Sequence, residues 1–119
     1  MDDETLLMTM LFDFFGDLLT EKQREYYDLY HNEDLSLSEI AVGAGITRQG
    51  VFDIISRAEK SLAEMERKTG VVKRWQETRS ELTRALGIAG ELLVLCGTDG
   101  QAPVMARELV RTLEGLVSE

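Results

Sequence analysis

Apolar residues recur every three or four positions along most of the chain, which is the spacing of one face of an α-helix. The pattern predicts a first helix over residues 4–19. Its apolar positions are Leu7, Leu11, Phe14, Phe15 and Leu18. No stretch alternates between apolar and polar residues as a half-buried strand does. We therefore predict an all-α fold.

Three polar signals mark where further helices begin. Thr20 with Gln23, and Ser36 with Glu39, have the spacing of a capping box, in which two side chains satisfy backbone N–H groups at a helix start. Thr47 has the character of a third N-cap. The predicted helices are about 21–31, 37–43 and 48–68. The apolar stripe of the last one is Val51, Ile54 or Ile55, Ala58, Leu62 and Met65.

The C-terminal part of the chain predicts a helical hairpin. Thr69-Gly70 ends or kinks the long helix, and Gly97 to Gly100 form a loop between two further helical patterns. Pro103 suits the first turn of the last helix. We divide the chain into a helix-turn-helix domain, residues 1–70, and a hairpin, residues 71–119, that serves dimerisation or packing.

The hairpin carries more apolar surface than it can bury alone. Its two main stripes are Leu82, Leu86, Ala89 and Leu93, and Leu109, Leu113 and Leu116. Further apolar residues flank them: Ile88, Leu92, Val110 and Val117. Only one stripe can pack on the first domain, so we expect a two-fold homodimer built by the hairpin, with Gly90 allowing two helices to approach. The competing interpretation is a monomer whose hairpin folds back completely.

The charge is strongly negative and unevenly distributed. The formal net charge is −9, and residues 1–35 contain ten acidic side chains against Lys22 and Arg24. A chain that repels polyanions as a whole can bind nucleic acid only through a local surface. The simplest interpretation of the charge is that it keeps the protein soluble.

Several features exclude extracellular, membrane-spanning or catalytic roles. Cys96 is the only cysteine, and no apolar run approaches the ~20 residues of a membrane span. The acidic start, Met1 to Glu4, is unlike a signal or transit peptide. His31 is the only histidine, and it lies at a helix end. We expect a cytoplasmic protein that does not insert into membranes, is not an enzyme, and has no metal site or cofactor.

Residues 35–56 have the spacing of a helix-turn-helix. Ala41 is small where two helices cross steeply, and Gly45 tolerates the left-handed backbone of the turn. Ile46 is expected to plug the corner, and Thr47 to cap the second helix. The remaining motif positions, Ile40, Val51 and Ile54, are apolar as burial requires. The same tri-helical unit serves in DNA binding and in protein docking, so the motif alone leaves both open.

Within residues 4–70 the sequence resembles the YlxM family of small bacterial proteins. The resemblance is carried by Leu19-Thr20-Glu21-Lys22-Gln23-Arg24, Tyr26, Tyr30, Ser36-Leu37-Ser38-Glu39-Ile40-Ala41, Thr47-Arg48-Gln49-Gly50-Val51-Phe52-Asp53 and Arg57-Ala58-Glu59-Lys60. It implies a fold like region 4 of sigma factors. It also implies a link to the signal recognition particle, because the family's genes lie beside those of the particle's GTPase and receptor. Residues 71–119 are longer and richer in glycine than the resemblance leads us to expect.

The resemblance also implies which positions contact a partner. In sigma-like domains the exposed positions early in the second helix contact DNA; here they are Arg48, Gln49, Phe52, Asp53 and Ser56, with Arg57 following. Arg48 and Gln49 can contact bases or phosphates. Phe52 stands where sigma factors favour a basic residue, and Asp53 has the wrong sign for a phosphate. The nucleic-acid-binding surface is therefore weakened.

A second basic surface lies at the start of the hairpin. Lys73, Arg74 and Arg79 surround Trp75, and an aromatic ring among cations suits RNA or a protein partner. The alternative role of Trp75 is to anchor the hairpin to the first domain.

Two functions follow. The first is a non-enzymatic regulatory protein of the signal recognition particle pathway that contacts the GTPase, its RNA, or both. The alternative is a sigma-like transcriptional regulator that binds DNA as a dimer. A basic surface around Arg48 and Arg57 favours DNA, whereas an apolar or acidic one favours a protein partner.

Overall fold

The computed structural model describes residues 3–118, and their regular structure is entirely helical. The helices are α1 (Asp3–Phe15), α2 (Glu21–His31), α3 (Leu37–Ala44), α4 (Arg48–Thr69), α5 (Val71–Leu95) and α6 (Ala102–Val117). A short 3₁₀ turn, Gly16–Leu18, follows α1. No strand occurs within residues 3–118, so the predicted all-α fold is confirmed. In this part of the chain no helix combines the length and the apolar character needed to cross a bilayer.

The helices form two compact units. The first ends at Val72 and the second begins at Lys73, so the division falls just after the first residues of α5. Val72 is fully buried with the core of the first unit.

Both predicted capping boxes are present. The Thr20 hydroxyl accepts from the Gln23 N–H at 3.2 Å, and the Gln23 side chain accepts from the Thr20 N–H at 3.1 Å. Ser36 and Glu39 make the same reciprocal pair at 3.0 and 3.1 Å. The starts of α2 and α3 are therefore determined locally, before any tertiary contact is made.

The first helix ends earlier than predicted. It stops at Phe15 rather than at residue 19, and the 3₁₀ turn that follows directs Leu19, not Leu18, into the core. Leu18 is 69% exposed. A continuous α-helix would place Leu18 on the buried face. The 3₁₀ turn advances the chain by a different angle per residue, and Leu18 therefore faces the solvent.

Helix α4 forms the centre of the first unit. Val51 and Ile55, near its start, pack with a cluster that also contains Tyr26, Ile40 and Ala41. Ala58 and Leu62, further along, are fully buried in a second cluster. The other buried members of that cluster are Leu11, Phe15, Leu19, Tyr27 and Val72. Of the two candidates for the apolar stripe, Ile55 is the buried one and Ile54 is partly buried.

Tyr27 and His31 connect the helices of this core. The Tyr27 hydroxyl donates to the Met8 carbonyl at 3.0 Å, and its ring stacks on Phe12 at 4.8 Å between centroids. His31 Nε2 lies 2.8 Å from Glu59 Oε1, which links the end of α2 to α4. Burial, with a smaller contribution from Glu59, raises the pKa of Tyr27 to about 12.

The turn between α3 and α4 has the predicted chemistry. Gly45 adopts a left-handed backbone with φ of 70°, and its N–H donates to the Ala41 carbonyl at 2.9 Å. The Thr47 hydroxyl accepts from the Gly50 N–H at 3.0 Å and caps α4. Three residues, Gly45 to Thr47, therefore connect the two helices.

The second unit contains the paired helices α5 and α6. Its buried residues are small or rigid: Ala89 on α5, and Pro103 and Ala106 on α6. Pro103 lies in the first turn of α6, as predicted. Gly97 and Gly100, in the connecting loop, have φ of 71° and 84°.

Replacing Tyr27 by Phe should remove a pH dependence of stability. The unfolded phenol ionises near its ordinary value of 10.0, whereas the folded one does so near 12, so the wild-type protein loses stability as the pH rises from 10 to 12. In Tyr27→Phe the free energy of unfolding should not fall between pH 10 and pH 12 through this group. At pH 7 the variant should be less stable than the wild type by about 1 kcal/mol, because the hydrogen bond to the Met8 carbonyl is absent. Urea unfolding across this pH range measures both effects. With Tyr30→Phe as the control, equal alkaline losses in all three proteins would contradict the assignment.

Replacing two glycines near the turn by alanine should change the stability in opposite directions. Gly45→Ala should destabilise by roughly 1–2 kcal/mol because an alanine at positive φ is strained. Gly43→Ala should stabilise by up to about 0.5 kcal/mol, since a Cβ there meets no atom within 4 Å and alanine favours a helix. Thermal unfolding of the two variants compares them directly. A stabilising Gly45→Ala would show that the turn does not depend on the left-handed conformation.

Candidate functional site

The residues predicted to contact a partner lie together on the solvent side of the first turns of α4. We call this surface the α4 face; it comprises Arg48, Gln49, Phe52, Asp53, Ser56 and Arg57. It follows the turn of the helix-turn-helix, whose first helix, α3, packs against α4 through Ile40 and Ala41. Because the opposite side of α4 is buried, this side has to face outwards.

The α4 face consists of two parallel rows of side chains. Residues four apart lie above one another on a helix. One row is therefore Arg48, Phe52 and Ser56, and the other is Gln49, Asp53 and Arg57. Phe52, in the middle of the first row, is 50% exposed. An aromatic ring this accessible contributes little to the core and is available to a partner.

A shallow groove of about 490 Å³ borders the first row. It is lined by Leu37, Arg48, Gln49 and Phe52. Leu37 is the first residue of α3, and sequence reasoning did not include it in the site. Its apolar character was visible, but that it lies beside Phe52 depends on how α3 crosses α4. The groove thus combines two apolar side chains with one cation and one amide.

Two side chains of the second row bind each other. Gln49 Nε2 donates to Asp53 Oδ1 at 2.9 Å. This bond uses one donor of the amide that would otherwise contact a base edge, and it places a carboxylate in the same row as Arg57. The α4 face is therefore not a continuous cationic surface.

The corner of the motif differs from the prediction. Ile46 was expected to be buried, but its side chain is 39% exposed and its Cδ1 lies over Gly50 in the first turn of α4. Leu29, Leu35, Leu37 and Ile54 are the partly buried side chains that complete the nearby core.

The start of α4 has a favourable electrostatic environment for an anion. Its first turn contains Arg48 and no acidic residue. The N-terminal N–H groups of a helix carry a partial positive charge, which adds to that of the arginine. A carboxylate or a phosphate of a partner is therefore favoured at this end of the α4 face.

The second predicted basic surface belongs to the second unit. Lys73, Arg74 and Arg79 lie on the early turns of α5. The Arg79 guanidinium carbon lies 5.3 Å from the centre of the Trp75 ring, a cation–π distance. Trp75 is thus paired with a cation of its own helix, one turn further on.

Comparison with known proteins identifies a family. The UPF0122 model, described as "Putative helix-turn-helix protein, YlxM / p13 like", matches residues 2–89. A UPF0122 protein of Thermoanaerobacter sp. is 51% identical over 84 residues, covering 71% of this chain and 72% of that protein. A UPF0122 protein of Halalkalibacterium halodurans is 43% identical over 114 residues, covering 96% and 94%.

The similarity extends further than the residues that first indicated it. The sequence resemblance covers residues 4–70, whereas the family match continues to residue 89 and the Halalkalibacterium relative aligns over almost the whole chain. The C-terminal part is therefore not an addition foreign to its relatives. The resemblance to the YlxM family is confirmed, and the chain belongs to the UPF0122 family of YlxM- and p13-like helix-turn-helix proteins.

Proposed function

We propose that this chain is a non-enzymatic helix-turn-helix regulatory protein that acts in the cytoplasm, in the signal recognition particle pathway of protein targeting. In this proposal it binds the particle's GTPase through the α4 face. The pathway is what the resemblance to the YlxM family implies. The choice of a protein partner rests on one observation: the half-exposed Phe52 stands over the groove beside Leu37, where sigma-like domains place a residue that contacts DNA.

The composition of the α4 face supports a protein partner. Aromatic and arginine side chains provide most of the binding energy in protein interfaces, and Arg48 and Phe52 lie one helical turn apart here. An apolar side chain of a partner fits between Phe52 and Leu37, while a carboxylate of the partner fits beside Arg48. The expected ligand of the groove is thus an apolar residue with an acidic neighbour.

The charge distribution opposes extensive contact with a polyanion. The chain has a net charge of −9, and on the α4 face Asp53 lies between the two arginines in sequence. Each phosphate contact requires a cation that displaces a counterion, and this face offers only Arg48 and Arg57. Binding to RNA or DNA through this surface alone would therefore be weak and would have a shallow salt dependence.

Sequence-specific DNA binding is the second candidate. It is favoured by the geometry of the motif itself: a capped α4 whose first turn carries Arg48 and Gln49 outwards and no acidic residue. In that case Arg48, Gln49 and Arg57 would make the contacts. The RNA of the particle would use the same cations.

Phe52→Ala should weaken binding to the purified GTPase at least tenfold, a loss of about 1.4 kcal/mol or more, because a central aromatic contact is removed. Isothermal titration calorimetry of the full-length protein measures this. Phe14→Ala is the matched control, since Phe14 is similarly accessible but lies on α1. It should bind like the wild type.

The same protein should be tested against the particle's RNA and genomic DNA fragments, with a variant in which Arg48, Gln49 and Arg57 are all alanine. Tight DNA or RNA binding that this variant abolishes, with no affinity for the GTPase, would replace the protein partner by a nucleic acid. Nucleic-acid binding that survives the triple change would move the site elsewhere, first to Lys73, Arg74 and Arg79. GTPase binding that Phe52→Ala leaves unchanged would remove the α4 face from the interaction.

A further inference from the structure

Each helix of the second unit carries two apolar stripes, and only one of them is used within the chain. The inner stripes are buried or half-buried: Leu82, Leu86, Ala89 and Leu93 on α5, and Pro103, Ala106, Val110, Leu113 and Val117 on α6. The outer stripes are Ile88, Leu92 and Leu95 on α5, and Met105, Leu109 and Leu116 on α6. These six side chains are between 45% and 83% exposed.

The two outer stripes lie on the same side of the hairpin. At 3.6 residues per turn, the outer stripe of each helix is displaced by roughly 100–120° from its inner stripe, and in the same rotational sense. The two helices are antiparallel because a short loop connects them and they pair. Equal rotations about antiparallel axes bring both outer stripes to one side, which we call the outer face.

The outer face is large enough for a specific interface. A fully exposed side chain of this size offers about 170 Å², so six side chains with these exposures present about 600 Å² of apolar surface. Two such surfaces would bury about 1,200 Å², which is the lower bound of stable protein–protein interfaces. A contiguous apolar patch of this size is at the upper end of what soluble monomers expose.

The charge of the hairpin favours a second copy as the occupant. Residues 73–118 contain six acidic and six basic side chains, so two hairpins approach each other without net repulsion. The first 35 residues, with ten acidic and two basic side chains, would repel their own copy. A patch that contacts the same patch on an identical chain forms a closed two-fold dimer, the commonest symmetric assembly.

We propose that the outer face of the α5–α6 hairpin is the interface of a homodimer. Gly90, which the sequence predicts to lie where two helices approach each other, is not part of this interface. Gly90 lies on the side of α5 opposite Ile88 and Leu92. A Cβ added to Gly90 would have no other atom of the chain within 4 Å. The dimer is held by the two outer stripes, and it carries two copies of the α4 face.

The test compares two glutamate substitutions on α5. Leu92→Glu places a charge on the outer face, whereas Val94→Glu places the same charge two residues away, at a position that is 81% exposed and outside this face. Sedimentation equilibrium of the full-length protein at tens of micromolar should show a dimer for the wild type and for Val94→Glu. Leu92→Glu should raise the dissociation constant at least tenfold, because each dimer contains the charge twice. Far-ultraviolet circular dichroism should show the same helix content in all three.

A wild-type protein that is monomeric at this concentration would overturn the proposal, and would favour a hairpin that packs within its own chain. A dimer that Leu92→Glu does not weaken would place the interface on another surface. Equal weakening by Val94→Glu would show that the outer face is not specifically involved. None of these outcomes depends on binding to the GTPase, so the dimer and the proposed function fail independently.

Discussion

The first unit depends on the burial of one side of α4. Val51, Ile55, Ala58 and Leu62 follow one another along this side at helical spacing, and all are buried. Val51 and Ile55 pack in one cluster with residues of α2 and α3. Ala58 and Leu62 pack in a second cluster with residues of α1, α2 and the start of α5. Removing any of these contacts would open a cavity in a small core that has no disulfide to support it.

The candidate functional surface is a consequence of this burial. Since one side of α4 is enclosed, the residues on the other side are presented to solvent as a rigid row, and the turn at Gly45 places α3 beside them. What distinguishes this chain from a cationic DNA-binding surface is the chemistry of that row. Phe52 places a half-exposed aromatic ring in this row, and Asp53 accepts a hydrogen bond from the Gln49 side chain. This composition is the basis on which we propose a protein partner for the α4 face.

The two units divide their apolar residues differently. In the first unit most large apolar side chains find partners within the chain, because α1, α2, α3 and the start of α5 pack around α4. In the second unit two helices can cover only one stripe of each other, and the outer stripes remain exposed. The physical limit is geometric: a two-helix pair has no third element to cover a second face.

The sequence by itself determined the helices, their caps, the turn glycine and the family, because these depend on interactions between residues within about four positions of each other, or on the identity of the residues. It also placed the candidate residues Arg48 to Arg57 on one helix face. The tertiary structure alone decided which side chains of an apolar stripe are buried. Leu19 replaced Leu18, Ile55 was buried more deeply than Ile54, and Ile46 remained half-exposed. It alone placed Leu37 beside Phe52 in the groove. The deeper burial of Ile55 and the position of Leu37 depend on the angle at which helices distant in sequence meet, and local spacing does not contain that angle.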